Sequence, residues 1–219
     1  FSNQASVKME TCAAMMGNQP RWFQLYWSKS NELVASLVAR AEACGCEAIV
    51  VTLDTPLLGW RPRDLQLGSL PFARAIGLAQ YVSDPVFQNY LDEVQLRPSG
   101  PLTLSSLQIF YEACRNYGGS FWQNLRTRRP LKAVQQFIDI YSRTDLVWDD
   151  LAFLRAKTRL PIVLKGIMCA EDALQYLLHE AQGERDENRV VYLDASGARL
   201  FRMKELKAMV GLAAQTARE

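Results

Sequence analysis

A chain of 219 residues with 49% hydrophobic and 22% charged side chains has ordinary globular make-up, sized for one domain or two small ones. Its net charge of +2 gives no basic footprint for nucleic acid, and no apolar run reaches the roughly 18 to 20 residues of a membrane helix, so neither partner is expected. The opening stretch "FSNQASVKMETCAAMMG" lacks the basic and apolar regions of a signal peptide, and the five cysteines are odd in number; both features predict reduced thiols in a cytoplasmic protein.

In chain order, "RWFQLYW" (21–27) is a short aromatic strand bounded by Pro20 and Ser28. "SNELVASLVARAEACG" (30–45) has apolar residues at helical spacing, with Ser30 or Asn31 as N-cap and Gly45 as its stop. Cys44 and Cys46 flank that single glycine without a matching pair, which is too narrow for a zinc site, so no metal is expected. "EAIVVTLD" (47–54) and "LPIVLKGI" (160–167) are continuous apolar strands, the pattern of a parallel sheet buried on both faces. The unit from 21 to 54 therefore reads as β-α-β with a crossover helix.

Residues 60–146 break this rhythm with six prolines and helical patterns at about 103–117 and 131–142. The segment is too long for a βα loop and reads as a small subdomain or a lid over the strand ends, its aromatics forming a local core. Helices follow at 148–158 and 169–181, then a solvated linker at 182–188 and a strand at 189–194. The remainder, 195–215, reads as a turn and a helix.

The first three strands end in polar side chains: Gln24 and Tyr26, Thr52 and Asp54, and Lys165. In a (β/α)₈ barrel the C-terminal strand ends converge on one face and build the active site there. The competing reading is a set of satisfied polar caps.

"PRWFQLYW", "RAEACGCEAIVVTLDTPLLGWRPRD" and "WDDLAFLRAKTRLPIVLKGI" with the following "EDA" closely resemble the FMN-dependent α-hydroxy acid oxidase and dehydrogenase family. "QLYW" and "LGWRPRDL" are most similar to its lactate 2-monooxygenase-like branch. The resemblance covers residues 1 to about 175 and implies an α/β fold, a partial (β/α)₈ TIM barrel with parallel strands and a long helical insert. The whole of 1–219 would be one incomplete domain, with 60–146 the insert and 182–219 a divergent tail.

The resemblance also implies FMN across the strand ends and a small 2-hydroxy acid as substrate. Gln24 and Thr52 would contact the flavin ring, with Ser2 a further contact. Lys165 would stabilise the anionic reduced flavin. Tyr26 would hydrogen-bond the substrate and Arg61 would hold its carboxylate with a planar fork. Asp54 would orient the family's catalytic histidine.

That histidine belongs to a "SNHGGRQ"-like motif which these 219 residues lack; the only histidine, His179, sits in a predicted helix end and does not inherit the role. Asp54 is then expected to be without its family partner. "YLDASGARLFRMKELKAMVGLAAQ" is similar to the family's phosphate-binding unit, with Gly197 and Arg199 as phosphate ligands; it reads either as that unit after an internal deletion or as an unrelated tail. Three functional readings stay open: a 2-hydroxy acid oxidoreductase, a non-catalytic flavin-binding or accessory homologue, and a fragment of a longer enzyme. A partial barrel exposes sheet edges, which predicts poor solubility or a homo-oligomer paired through them.

Overall fold

The computed structural model describes residues 1–55, 62–67, 70–98 and 102–167, and the strands at 190–193 and 200–202. The first elements are helix α1 (Met9–Met16), strand β1 (Trp22–Tyr26), helix α2 (Asn31–Ala43) and strand β2 (Ala48–Thr52). Ser30 caps α2, its hydroxyl accepting from the Leu33 amide at 3.1 Å. Gly45, at φ +71, ends the helix in a left-handed conformation that side chains rarely adopt. α2 buries Leu33, Val34, Leu37, Val38 and Ala41, one helical face, against the sheet.

The region that breaks the βα rhythm holds α3 (Pro62–Gln66), a 3₁₀ turn at Pro71–Arg74, α4 (Ala79–Val82), α5 (Pro85–Glu93), α6 (Leu104–Asn116), α7 (Phe121–Thr127) and α8 (Arg129–Ile140). Then come α9 (Asp150–Lys157), β3 (Ile162–Lys165), β4 (Val190–Leu193) and β5 (Leu200–Arg202). The expected helix at 169–181 lies outside the described residues.

The strands form one sheet in the order β1-β2-β3-β4-β5, parallel from β1 to β4. Ser2 adds a parallel bridge beside Gln24, with the Gln24 amide donating to the Phe1 carbonyl at 2.7 Å and the Asn3 amide to the Gln24 carbonyl at 2.9 Å. β5 pairs antiparallel with β4, so Leu200–Arg202 is strand where a turn and helix were expected. The connection explains the pairing: only residues 194–199 separate the two strands, and a parallel partner needs a crossover of roughly a dozen residues or more.

Alternation along the strands sorts the two sheet faces. Phe23, Leu25, Ile49, Val51, Ile162 and Leu164 face the helices and join one core with α2, Leu151 and Leu154. Trp22, Ala48, Val50 and Val163 form a smaller apolar cluster on the opposite face. That face, extended towards the C-terminal strand ends, carries Gln24, Tyr26, Thr52 and Lys165.

Among the described residues, the buried aromatics of the insert join the sheet core. Tyr81, Phe87 and Phe137 are fully buried in the same core as the strands, with ring centroids 5.6 Å apart for Tyr81–Phe87 and 4.9 Å for Tyr81–Phe137. Asp84 ties the two regions together. Fully buried, it caps α5 by accepting from the Val86 amide at 2.9 Å, accepts from Ser36 of α2 at 2.8 Å, and pairs with Arg40 at 3.0 Å. Among the described residues no helix is long and apolar enough to cross a membrane.

Candidate functional site

The parallel register places Tyr26, Thr52 and Lys165 in one row across β1, β2 and β3. Parallel partners point to the same face, so three residues far apart in sequence become neighbours at the strand ends. Gln24, two residues before Tyr26, shares that face. Ser2 Oγ donates to Gln24 Oε1 at 3.1 Å, and Gln24 Nε2 donates to Thr52 Oγ1 at 2.7 Å. The Gln24 carboxamide is therefore held from both ends, and the Thr52 hydroxyl, having accepted a bond, keeps its proton to donate.

Asp54 lies just beyond β2, and its two carboxylate oxygens accept from Lys165 Nζ at 2.9 and 3.1 Å. The Lys165 ammonium, through this hydrogen-bonded pair, holds the Asp54 carboxyl below the usual carboxylate range. With side chains 40% and 50% exposed, the pair is screened by water and contributes little to stability. In the fold the Asp54 carboxylate has Lys165 as its partner.

The chain returning from α8 crosses these strand ends. The Arg143 amide donates to the Trp27 carbonyl at 3.0 Å, and Ser142 Oγ to the Thr55 carbonyl at 3.2 Å. Between this crossing and the strand ends lies a cavity of about 450 Å³, lined among others by Tyr26, Thr52, Thr55, Leu53, Trp148 and Ile167. Arg143 also lines it, with its guanidinium engaged by Asp145 and Asp150, each at 2.9 Å.

Of the residues singled out from sequence, the fold gathers Ser2, Gln24, Tyr26, Thr52, Asp54 and Lys165 at one rim. Arg61, His179, Gly197 and Arg199 lie outside the described residues. Sequence reasoning passed over Gly166, at φ +100, where an added Cβ would stand 2.7 Å from Asp54 Cβ. A glycine directly after a strand-end lysine was the available signal. Among the described residues no group of three or more metal-ligating side chains occurs, and Cys12, Cys44, Cys46 and Cys114 are unpaired thiols. Burial pushes the Cys46 thiol up to about 11, which disfavours the thiolate form.

A sequence profile of the FMN-dependent dehydrogenases matches residues 1–183. The chain belongs to the FMN-dependent dehydrogenase family. An FMN-dependent alpha-hydroxy acid dehydrogenase of Schizosaccharomyces pombe is 33% identical over 188 residues, 84% of this chain and 40% of that protein. An L-lactate oxidase of Lysinibacillus sphaericus is 30% identical over 182 residues, 83% of this chain and 38% of that one. Among solved structures, mandelate oxidase with (S)-4-hydroxymandelic acid superposes with a TM-score of 0.53 at 27% identity, covering 91% of this chain and 43% of its own. The chain thus spans about 40% of the length of the FMN-dependent dehydrogenase relatives it matches. Its sheet and helices are part of an α/β barrel, and the β4–β5 pair is the departure from an all-parallel order.

Proposed function

We propose that the polar rim at the strand ends is a flavin-binding surface and that the protein is an FMN-dependent oxidoreductase acting on a small 2-hydroxy acid. The row Tyr26–Thr52–Lys165, with Gln24 fixed beside it, carries this reading. An oriented carboxamide, a hydroxyl with a proton to give and an ammonium lie on one sheet face. They match the alternating carbonyl and nitrogen edge of an isoalloxazine ring, so the residues present fit the group. Bound FMN would supply the two-electron acceptor for converting a 2-hydroxy acid to a 2-oxo acid.

Gln24 and Thr52 would orient the ring by hydrogen bonds, with Ser2 holding Gln24 in place. Lys165 would offset negative charge gained on reduction, an effect that a preorganised cation supplies without rearrangement. Tyr26 would hold the substrate oxygen, and Arg61 would clamp its carboxylate. The apolar cavity wall of Leu53, Trp148 and Ile167 suits a hydrophobic substituent on the acid. "QLYW" and "LGWRPRDL" support placement in the lactate 2-monooxygenase-like branch, where decarboxylation follows oxidation.

A second reading, a non-catalytic flavin-binding homologue, is favoured by one observation. Asp54, which the resemblance assigns to orienting a catalytic histidine, is engaged by Lys165 at 2.9 Å. Titration with FMN followed by anaerobic addition of lactate, mandelate or glycolate separates the readings. Bleaching of the flavin band supports the oxidoreductase; a bound flavin that stays oxidised supports the second reading; no flavin binding rejects both.

A further inference from the structure

The approach of Asp54 to Lys165 is built into the backbone. The Leu53 amide donates to the Lys165 carbonyl at 2.9 Å, one rung past the Thr52–Lys165 register pair. Immediately beyond, Gly166 at φ +100 leaves the space that a Cβ would fill at 2.7 Å from Asp54 Cβ, 2.8 Å from its amide nitrogen and 2.9 Å from Cγ. The two chains pass so closely that no side chain fits between them. This contact delivers the Asp54 carboxylate to Lys165 Nζ, which bonds both of its oxygens, while Thr55 Oγ1 donates to Oδ1 at 3.3 Å.

We propose that Asp54 is a positioning residue for Lys165: it clamps the ammonium at the flavin rim and partly neutralises it, so that it sets how strongly the bound cofactor favours its reduced form. This rests on the flavin-binding reading above. The physical basis is simple. A lone cation beside the ring favours the reduced, anionic flavin; a carboxylate 2.9 Å from that cation opposes it. The role differs from orienting a histidine base, since it needs no base and acts on the cofactor's electron affinity.

The test has two parts. In the cofactor-free chain, carbon-detected NMR follows titration of the Asp54 carboxyl in wild type, Lys165→Met and Gly166→Ala. The clamp requires the titration to move up towards the ordinary carboxylate range in both variants; an unmoved titration overturns it, with no flavin involved. In the FMN-loaded chain, the ratio of reduced to oxidised FMN affinity is measured from the midpoint potential. Asp54→Asn should raise this ratio about tenfold, or about 30 mV for a two-electron couple. Lys165→Met should lower the ratio, and Asp54→Glu, which keeps the charge, should stay within about threefold of wild type.

A ratio unchanged in Asp54→Asn, while Lys165→Met lowers it, overturns the proposal and leaves the flavin site standing. No FMN binding by wild type, or a ratio unmoved by Lys165→Met, rejects the flavin-site reading and the proposal with it. Should Asp54→Asn fail to fold, the titrations and the Asp54→Glu ratio decide, a ratio raised tenfold by Asp54→Glu counting against a charge effect.

Discussion

Gln24 Nε2 donates to Thr52 Oγ1 at 2.7 Å, a bond that runs diagonally from β1 to β2 because Gln24 is in register with Val50 rather than with Thr52. The lean along the strand direction carries the carboxamide to the C-terminal rim, and Ser2 holds its other end. Thr52→Val keeps the shape and removes the acceptor. The variant should lose about 1 kcal/mol of stability, the net worth of one such hydrogen bond, and bind FMN several-fold more weakly. Urea unfolding and flavin fluorescence titration measure the two effects; undiminished FMN affinity would remove Thr52 from the site.

Phe137 joins the insert to the sheet core. Its ring lies 4.9 Å from Tyr81, 4.9 Å from Phe72 and 5.0 Å from Tyr141, and it is fully buried. Phe137→Ala should cost about 3 to 5 kcal/mol through the lost burial and the cavity left behind. Because insert and sheet share one core, both should melt together. Two separate transitions, in near-UV dichroism and in far-UV dichroism, would show that the insert is a separate folding unit.

Asp84 carries a buried charge with three kinds of partner: the Arg40 guanidinium, the Ser36 hydroxyl and the amides at the start of α5. Asp84→Ala removes the cap and leaves Arg40, only 15% exposed at its side chain, with Glu10 as its remaining carboxylate. The expected loss is about 3 to 5 kcal/mol, since stranding one partner of a buried pair costs more than the pair contributes. Thermal and denaturant midpoints check this; a loss below about 1 kcal/mol would show that water enters and solvates Arg40.

The Asp54–Lys165 pair gives a stability term with a defined pH window. The folded carboxyl is lowered relative to its unfolded value of about 4, so the term is complete above that value and vanishes as pH falls through the lower folded value. Wild type should therefore exceed Lys165→Met slightly at neutral pH, by well under 1 kcal/mol for so exposed a pair, and the two should converge in strong acid. Raising salt should shrink the neutral-pH difference. A difference that grows on acidification contradicts the pairing.

The sequence by itself determined β1, β2, β3 and α2, because apolar runs, a serine cap and a glycine stop act over a few residues and need no distant partner. It also determined that the strands end in polar side chains, and the parallel rule for a βαβ unit then put those ends on one edge. Only the tertiary structure decided which of them meet. Asp54 and Lys165 are 111 residues apart, and their contact depends on the β2–β3 register and on the room left by Gly166. Tertiary packing likewise joined Tyr81, Phe87 and Phe137 of the 60–146 segment to the main core, where its aromatics had read as a local core. It also turned 200–202 into a strand paired antiparallel with β4, a partner that the short 194–199 connection allows. Local pattern is written in the chain; the choice of long-range partner follows from register and close packing, which no short stretch encodes.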